Sequence, residues 1–407
     1  MKKYIFGGLA VSAVIIGAVA LLNKDRIDRA NTALNLFNGA EQYENLNRMP
    51  EMFPSATMKA SGSPFRFGEG EPIALPKSFM FEGKKSDVQE FLAETDTSAL
   101  LVIKDGNIVF EEYWLTGGQD VTWLSSSVAK SYISALVGIA IAEGDIESIQ
   151  VPITQYVPEL AGSAYDGVSI KDVLQMSSGA RWSEDYSDTE SDVMRLARIF
   201  AFGGSLNEFA GTIVRQREPG TYNLYNSVDT QVLGMLLVNA TGRTITDYMS
   251  EKLWGPLGTE SHAHWLLDSE GMEMVFGGMN ATARDFAKIG ELYRLNGRLN
   301  GKQIVPSNWV TASVTPDAPH LMPGEDNPAS DFGLGYGYQW WIPEGDEGEF
   351  SAIGIYNQFV FVNPSRDTVI VKLSANSNYG VTDDESSYRE FETIELFRAI
   401  NAQWEKR

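Results

Sequence analysis

The feature that most constrains the fold is a predicted helix, from about Val128 to Glu143, that is apolar almost all the way round. Ala, Ile, Val and Leu dominate it, and Gly144 follows at the position where helices commonly end. A helix without a polar face cannot lie on a protein surface, so the rest of the chain must enclose it. The sequence therefore predicts a domain built around one buried central helix.

Segments with strand propensity lie on both sides of this helix. Residues 99–104 and 107–114 flank Asp105-Gly106, a pair that predicts a hairpin between two such segments. Residues 356–362 and 368–373 predict two further strands, and a last helix follows with an apolar stripe from Tyr388 to Trp404. Helical patterns fill the region between, from about 151 to 310. The fold class that we predict is α/β (α+β): an antiparallel sheet flanked by helices, completed by both chain ends, with an inserted helical lobe.

The N-terminal segment, residues 1–23, has the character of a membrane anchor. A lysine pair precedes an apolar run over residues 4–22, which is about long enough to span a bilayer. We expect it to tether the body to the inner membrane on the extracytoplasmic side. Residues 18–20 leave open the alternative of a signal peptide that is cleaved before secretion. Residues 24–78 predict an arm or connector, and 79–407 the globular domain.

Charge and residue usage exclude several classes of function. The chain has 32 basic and 54 acidic residues, a net charge of −22, which repels nucleic acid and anionic lipid headgroups. It has no cysteine, so thiolate zinc sites, iron–sulfur clusters and cysteine nucleophiles are excluded. His262 and His264 lack a third ligand in a recognised pattern, and we expect them to be structural. We therefore expect neither a metal nor another cofactor.

Ser127 and Lys130 form an S-x-x-K pair at the start of the buried helix. One helical turn places both side chains on the same face. A serine hydroxyl needs a nearby base to become a nucleophile, and a lysine can be that base if burial depresses its pKa. The alternative is that Ser127 caps the helix and Lys130 is solvated, but a lysine in the first turn opposes the helix dipole. The pair is our candidate nucleophile and base.

In this pair and in its position the sequence resembles the serine β-lactamase and penicillin-binding-protein superfamily, over about residues 79–403. The closest similarity is to class C β-lactamases, related esterases and 6-aminohexanoate-dimer hydrolases. Residues 172–179 resemble the family's L-L-x-x-[ST]-S-G segment, and residues 277–285 resemble a segment that packs the helical lobe. The resemblance implies a β-lactamase/transpeptidase-like fold and an acyl-enzyme on Ser127.

Residues 219–227 resemble the family's P-G-x-x-x-x-Y-x-N segment, which implies that Tyr225 is the third catalytic residue. The usual order after this tyrosine is Ser or Ala and then Asn, whereas this chain has Asn226-Ser227. The amide that would bind substrate, assigned to Asn226, is therefore displaced by one position. Amidohydrolases and esterases of the family are more similar to this arrangement than β-lactamases are.

The family's third motif, K-[ST]-G or H-x-G on the strand beside the site, is absent in literal form. Residues 352–358 stand in its place. We expect the backbone N–H of Ile355 to form an oxyanion hole with the N–H of Ser127, and the neighbouring Tyr356 to contact substrate. Without the cationic side chain, recognition of a β-lactam carboxylate is weakened, and amide and ester cleavage remain possible.

An acidic loop with an aromatic residue follows Trp182. Residues 184–188 resemble a loop that contributes to the substrate cleft in aminohexanoate-dimer hydrolases, which implies that Tyr186 binds substrate; the alternative is an ordinary solvated loop. The predicted function is hydrolysis of an amide or ester bond in a small substrate. The alternatives are a cell-wall peptide hydrolase (DD-peptidase) or β-lactamase and, outside enzymes, a silent binding or sensor domain on the same fold.

Overall fold

A computed structural model describes residues 42–406. Within this range no helix is both long and apolar enough to cross a bilayer. The predicted anchor, residues 4–22, lies outside the described residues, so its assignment stays a prediction.

The strands follow one another in chain order. They are β1 (Ser55–Met58), β2 (Gly68–Glu69), β3 (Ser78–Phe81), β4 (Lys84–Asp87), β5 (Thr97–Lys104), β6 (Asn107–Tyr113), β7 (Trp123–Leu124), β8 (Ala263–Leu266), β9 (Met279–Ala281), β10 (Arg298–Leu299), β11 (Lys302–Gln303), β12 (Gly335–Tyr336), β13 (Trp341–Ile342), β14 (Phe350–Gly354), β15 (Gln358–Asn363) and β16 (Thr368–Ser374).

The helices are mostly short and concentrated between β7 and β12. They are α1 (Gln42–Met52), α2 (Val88–Glu94), α3 (Ala129–Glu143), α4 (Ile170–Leu174), α5 (Asp192–Ala201), α6 (Leu206–Gly211), α7 (Ser227–Thr241), α8 (Ile245–Met249), α9 (Ala283–Arg294), α10 (Ser307–Ser313), α11 (Glu385–Tyr388) and α12 (Glu390–Asn401).

The main sheet has the strand order β12-β13-β14-β15-β16-β5-β6-β2. Its neighbouring strands are antiparallel, except that the short β2 runs parallel to β6 at the edge. Because β16 pairs with β5, strands from the two ends of the domain meet in the middle of the sheet. The predicted fold class, a sheet completed by both chain ends and flanked by helices, is confirmed.

The β5–β6 hairpin forms where Asp105-Gly106 predicted it. Both turn residues have positive φ, 51° and 75°, which is the backbone of the two-residue turn that matches strand twist. β5 is buried on both faces because helices cover both sides of the sheet. The hairpin thus supplies the centre of the main sheet.

Two apolar layers enclose the sheet. On one face α3, α7 and α9 belong to the larger core, and α3 is buried from Ala129 to Ala140 before it ends at Gly144 in the left-handed region. On the other face Phe91 of α2 packs with Ile394, Phe397 and Ile400 of α12. The prediction of a central helix enclosed on all sides is confirmed, and it is this helix that carries Lys130.

The predicted arm contributes to the main sheet and to a second, four-stranded sheet. β2 extends the main sheet, and β1 pairs with β8 in a second sheet of order β1-β8-β9-β7. α1 buries Leu46 and Met49 in the larger core. The described part of the predicted arm, residues 42–78, therefore packs against the globular domain.

The C-terminal helix differs from the prediction in one respect. The apolar stripe was expected to run through a single helix from Tyr388 to Trp404, but the helix is interrupted at Arg389, whose φ is 56°. The Arg389 guanidinium forms ion pairs with Glu94 and Glu392. The interruption separates α11 from α12 and lets Glu390 line the cleft described below.

Candidate active site

The chain enters the site through β7, which leads into a tight turn over Ser126–Val128 and then into α3. Ser126 has φ 45°, a left-handed conformation that is costly for a residue with a side chain. Ser127 follows it, partly exposed at the floor of a cleft. The turn thus presents the Ser127 hydroxyl at the N-terminal end of the central helix.

Lys130 is 1% exposed, and its Nζ has three polar neighbours. It lies 2.7 Å from Ser127 Oγ, 2.9 Å from the carbonyl oxygen of Phe276 and 3.1 Å from Ser227 Oγ. Burial lowers the pKa of Lys130 to about 7, an effect opposed by the negative charge of Glu184. Near neutral pH a large fraction of Lys130 is therefore a free amine beside the serine.

The ring of Tyr225 lies 5.0 Å from Lys130 Nζ and stacks on Trp341, with 4.9 Å between ring centroids. Burial, together with the charge of Glu184, raises the pKa of Tyr225 well above its usual value, and a hydrogen bond with Ser127 opposes the rise. The phenol therefore keeps its proton at neutral pH. In this state it can donate a proton but cannot act as a phenolate base.

Gly354, the last residue of β14, packs directly against the Ser125–Ser127 segment. A Cβ built on Gly354 would lie 2.8 Å from Ser125 O and 2.9 Å from Ser127 N, closer than real side chains approach. The next residue, Ile355, lines the cleft together with Ser127. Glycine at 354 is what lets the strand lie this close to the serine.

We expect Gly354→Ala to lower kcat by about 10²-fold. The added methyl group would displace the Ser127 turn by up to about 1 Å, and a misplacement of this size moves the nucleophile out of position. The overpacked contact should also reduce the free energy of unfolding by about 1–3 kcal/mol. Steady-state kinetics and thermal melts check both effects. Gly62→Ala is the matched control, since a Cβ there meets nothing within 4 Å and its φ, like that of Gly354, is outside the left-handed region. Unchanged kinetics in Gly354→Ala would mean that this contact does not position Ser127.

The cleft has a volume of about 370 Å³ and opens above Ser127. Its walls are aromatic and acidic, and no lysine, arginine or histidine is among the described residues that line it. The lining residues are Ser127, Trp182, Ser183, Glu184, Asp185, Tyr186, Leu224, Tyr225, Asp331, Phe332, Trp341, Ile353, Gly354, Ile355, Tyr379, Asp383, Tyr388 and Glu390. An anionic substrate would meet five carboxyl groups in this cleft.

Of the three predicted substrate contacts, the structure brings only Tyr186 to the cleft. Its hydroxyl donates a hydrogen bond to Glu184 Oε1 at 2.8 Å. Tyr356 does not line the cleft; its ring contacts that of Tyr379, which does line the cleft, with 5.5 Å between ring centroids. The expected direct contact of Tyr356 with substrate is therefore not supported by the geometry.

The geometry also argues against Asn226 as a substrate contact. Asn226 is 1% exposed and caps α7, its Oδ1 accepting from Val228 N at 2.8 Å and its Nδ2 donating to Asp229 Oδ1 at 3.0 Å. Both ends of the amide are therefore engaged inside the protein. The side chain that reaches Lys130 from this segment is Ser227, the residue that follows.

Two features of the site were missed in the sequence. One is the Glu184 carboxylate, which meets Ser227 across 43 positions of sequence, and the other is the pair formed by Tyr379 and Glu390. Tyr379 OH donates to Glu390 Oε1 at 2.6 Å, and burial raises the pKa of Glu390 to about 7. The inverted order Asn226-Ser227 was a sequence signal for the contact between Ser227 and Glu184. The pair of Tyr379 and Glu390 lies in a segment without a recognisable motif.

The histidine pair is engaged in hydrogen bonds to the arm. His262 Nδ1 accepts from Ala60 N at 2.8 Å, and His264 Nδ1 lies 3.1 Å from Thr57 Oγ1. Across residues 42–406 no group of three His, Asp or Glu side chains is placed to hold a metal ion.

Solved structures with this fold include a penicillin-binding-protein homologue from Caulobacter crescentus, with a TM-score of 0.57, 15% sequence identity and coverage of 75% of this chain and 92% of that chain. A protein of Bacillus anthracis assigned as a 6-aminohexanoate-dimer hydrolase is more similar, with a TM-score of 0.81, 22% identity and coverage of 91% and 96%. The architecture is thus that of the β-lactamase and penicillin-binding-protein class.

The sequence gives the family directly. The Beta-lactamase family model matches residues 85–393. The 6-aminohexanoate-dimer hydrolase of Paenarthrobacter ureafaciens is 33% identical over 296 residues, which cover 71% of this chain and 75% of that protein. The chain belongs to the Beta-lactamase family, and this relative is named as a hydrolase.

Proposed function

We propose that this chain is a serine hydrolase that cleaves an amide or ester bond of a small substrate through an acyl-enzyme on Ser127. The observation that carries the proposal is the 2.7 Å separation between Ser127 Oγ and the buried Nζ of Lys130, whose pKa burial lowers to about 7. A nucleophile within reach of a base that is partly deprotonated at neutral pH is the requirement for acyl transfer.

Acylation follows from these contacts. Ser127 Oγ attacks the carbonyl carbon while its proton passes to Lys130 Nζ, and the carbonyl π electrons move to the oxygen. The backbone N–H groups of Ser127 and Ile355 are the proposed donors to this oxyanion. They lie on the two segments that Gly354 allows to pack together.

Collapse of the tetrahedral intermediate breaks the bond to the leaving group. An amine must be protonated as it departs, and the neutral phenol of Tyr225 is the proposed donor. The Lys130 ammonium then transfers its extra proton to the Tyr225 phenolate. Water attacks the acyl ester in the second half of the reaction and gives its proton to Lys130. The bond from the acyl carbon to Ser127 Oγ then breaks, and that proton restores the Ser127 hydroxyl as the acid is released.

The cleft favours neutral or cationic substrates. Its lining contains five carboxyl groups and no basic side chain among the described residues, so the carboxylate of a β-lactam or of a cell-wall peptide would bind poorly. The Paenarthrobacter relative is named as a hydrolase of a 6-aminohexanoate dimer, in which an amide bond joins two amino-acid units. We propose linear amides and esters as the substrate class.

A panel of nitrophenyl esters, linear amides and β-lactams tests this assignment, with and without a chelator. We expect turnover of esters and linear amides, slow or no turnover of β-lactams, and no effect of the chelator. Fastest turnover of β-lactams would overturn the proposed substrate class. No turnover of any compound by protein that no serine-directed probe labels would instead support the silent binding domain.

The rate of acylation should rise with pH through about 7. Lys130 acts as base only when deprotonated, so kcat/KM should fall at lower pH, where the amine is protonated, and level off above its pKa. Burial lowers the pKa of Lys130, so this limb should lie far below the 10.5 of an exposed lysine. A pH profile with an activated ester measures it, and a limb near pH 10 would contradict a buried base.

For location, we propose that residues 4–22 anchor the enzyme to the membrane with the catalytic domain outside the cytoplasm. A reporter fused at the C-terminus should fractionate with membranes and be accessible to protease from the extracytoplasmic side. Removal of residues 1–23 should release soluble enzyme with unchanged kcat/KM, since every proposed catalytic residue lies beyond residue 126. Full-length protein found in the cytoplasmic fraction would refute the anchor.

A further inference from the structure

The carboxylate of Glu184 receives four hydrogen bonds at the edge of the site. Its Oε2 accepts from Trp182 Nε1 and from Ser227 N, and its Oε1 accepts from Tyr186 OH at 2.8 Å and from Ser227 Oγ at 2.6 Å. An ionised carboxylate has no proton to give, so both hydroxyl groups must donate to it. The direction of the Ser227 O–H bond is thereby fixed toward Glu184.

The direction of the Ser227 O–H bond determines whether Ser227 Oγ donates a hydrogen bond to Lys130 or accepts one from it. A hydroxyl has one proton and two lone pairs, and the proton of Ser227 is already engaged. At 3.1 Å from Lys130 Nζ, Ser227 Oγ can therefore only accept a hydrogen bond. The Phe276 carbonyl, at 2.9 Å, is also only an acceptor.

A neutral lysine amine has two N–H bonds and one lone pair. Two of the three polar neighbours of Lys130, the Phe276 carbonyl and Ser227 Oγ, require the N–H bonds. The lone pair then faces the third neighbour, Ser127 Oγ, at 2.7 Å. This is the orientation in which Lys130 can take the proton of Ser127.

We propose that Glu184 is a positioning residue for the base: by holding the Ser227 hydroxyl as an acceptor toward Lys130, it directs the lone pair of Lys130 at Ser127. The inference rests on the proposed function, in which Lys130 takes that proton. If the Ser227 hydroxyl could rotate, it could donate to Lys130 and occupy the lone pair. A glutamine at 184 would allow this, because its amide can donate to Ser227 as well as accept from it.

Glu184 also acts on Lys130 through its charge, which raises the pKa of the amine against the effect of burial. Loss of that charge should move the acidic limb of the acylation rate to lower pH. The charge of Glu184 also raises the pKa of other titratable groups around the site, which are Tyr186, Tyr225, Asp229, Asp331 and Tyr336; Glu390 lies in the same cleft. A shift of the limb to lower pH therefore reports the loss of charge at 184, and the plateau rate, at pH values above the limb, reports the orientation of Lys130.

The test is the rate at which a fluorophosphonate labels Ser127, measured against pH in the wild type, Glu184→Gln, Ser227→Ala and the double variant. We expect each single variant to label about 10²-fold more slowly at its plateau, as for a misplaced catalytic group. In Glu184→Gln the limb should also move to lower pH. The double variant should label no more slowly than Ser227→Ala, because Glu184 acts through Ser227.

Glu190→Gln is the matched control. It makes the same change in the same loop, but its side chain is 82% exposed and does not line the cleft. It should label at the wild-type rate with an unmoved limb. Thermal melts identify a variant that does not fold. If Glu184→Gln does not fold, Ser227→Ala by itself tests whether the Ser227 hydroxyl orients Lys130.

The outcomes separate this inference from the proposed function. A wild-type protein that is not labelled at Ser127 would overturn both. Labelling of the wild type with unchanged rate and limb in Glu184→Gln would overturn only the role of Glu184. The role of Glu184 would also be overturned if the labelling rate of the double variant fell by the product of the two single-variant factors.

Discussion

Ser127→Ala is expected to abolish turnover of every substrate, with a loss on the order of 10⁶-fold in kcat, comparable with removal of the nucleophile in a serine protease. Ser127 Oγ is the atom that forms the acyl bond, and the variant has no oxygen at this position to form it. The change removes one oxygen from a partly exposed side chain, so the melting temperature should stay close to that of the wild type.

Ser131→Ala is the matched control for this change. Ser131 lies one helical turn further along α3, is 1% exposed and donates to the Gln339 carbonyl at 2.7 Å. Its loss should cost about 1 kcal/mol of stability and leave kcat/KM unchanged. Residual activity of Ser127→Ala near the wild-type level would mean that the chemistry occurs at another residue.

Tyr225→Phe is expected to lower amide turnover by about 10²–10⁴-fold, the typical value of general acid assistance. Acylation by a nitrophenyl ester should fall far less, because an activated phenolate can leave without a proton. The stacking of the ring on Trp341 is kept in the variant. The measurement is kcat/KM for a matched amide and ester in wild type and variant, alongside thermal melts.

Tyr336→Phe makes the same chemical change at a neighbouring buried ring, 6.1 Å from Tyr225. It should not change the ratio of amide to ester turnover. An equal fall for amide and ester in Tyr225→Phe would mean that Tyr225 activates Ser127 itself. No fall for either would make Tyr225 a packing residue.

The parts of the fold that could be predicted from sequence depend on contacts between residues close in the chain. The Asp105-Gly106 hairpin and the end of α3 at Gly144 follow from backbone preferences of one or two residues. The approach of Lys130 to Ser127 follows from one turn of helix.

The parts that could not be predicted depend on contacts between distant segments. Ser227 meets Glu184 because the loop after Trp182 folds over the start of α7, and neither sequence carries a local sign of the other. The inward direction of the Asn226 amide could not be predicted from the sequence, because it is set by capping of α7. The break at Arg389, whose guanidinium forms an ion pair with the distant Glu94, has no local sign in the sequence.

The central claim is that Ser127 forms a covalent intermediate, and the most direct test is mass spectrometry of the protein after reaction with a fluorophosphonate or a slowly hydrolysed activated ester. The account predicts one adduct per chain, located on the peptide that contains Ser127, and none in Ser127→Ala. An adduct on another residue with Ser127 unmodified, or an equal adduct in Ser127→Ala, would contradict it.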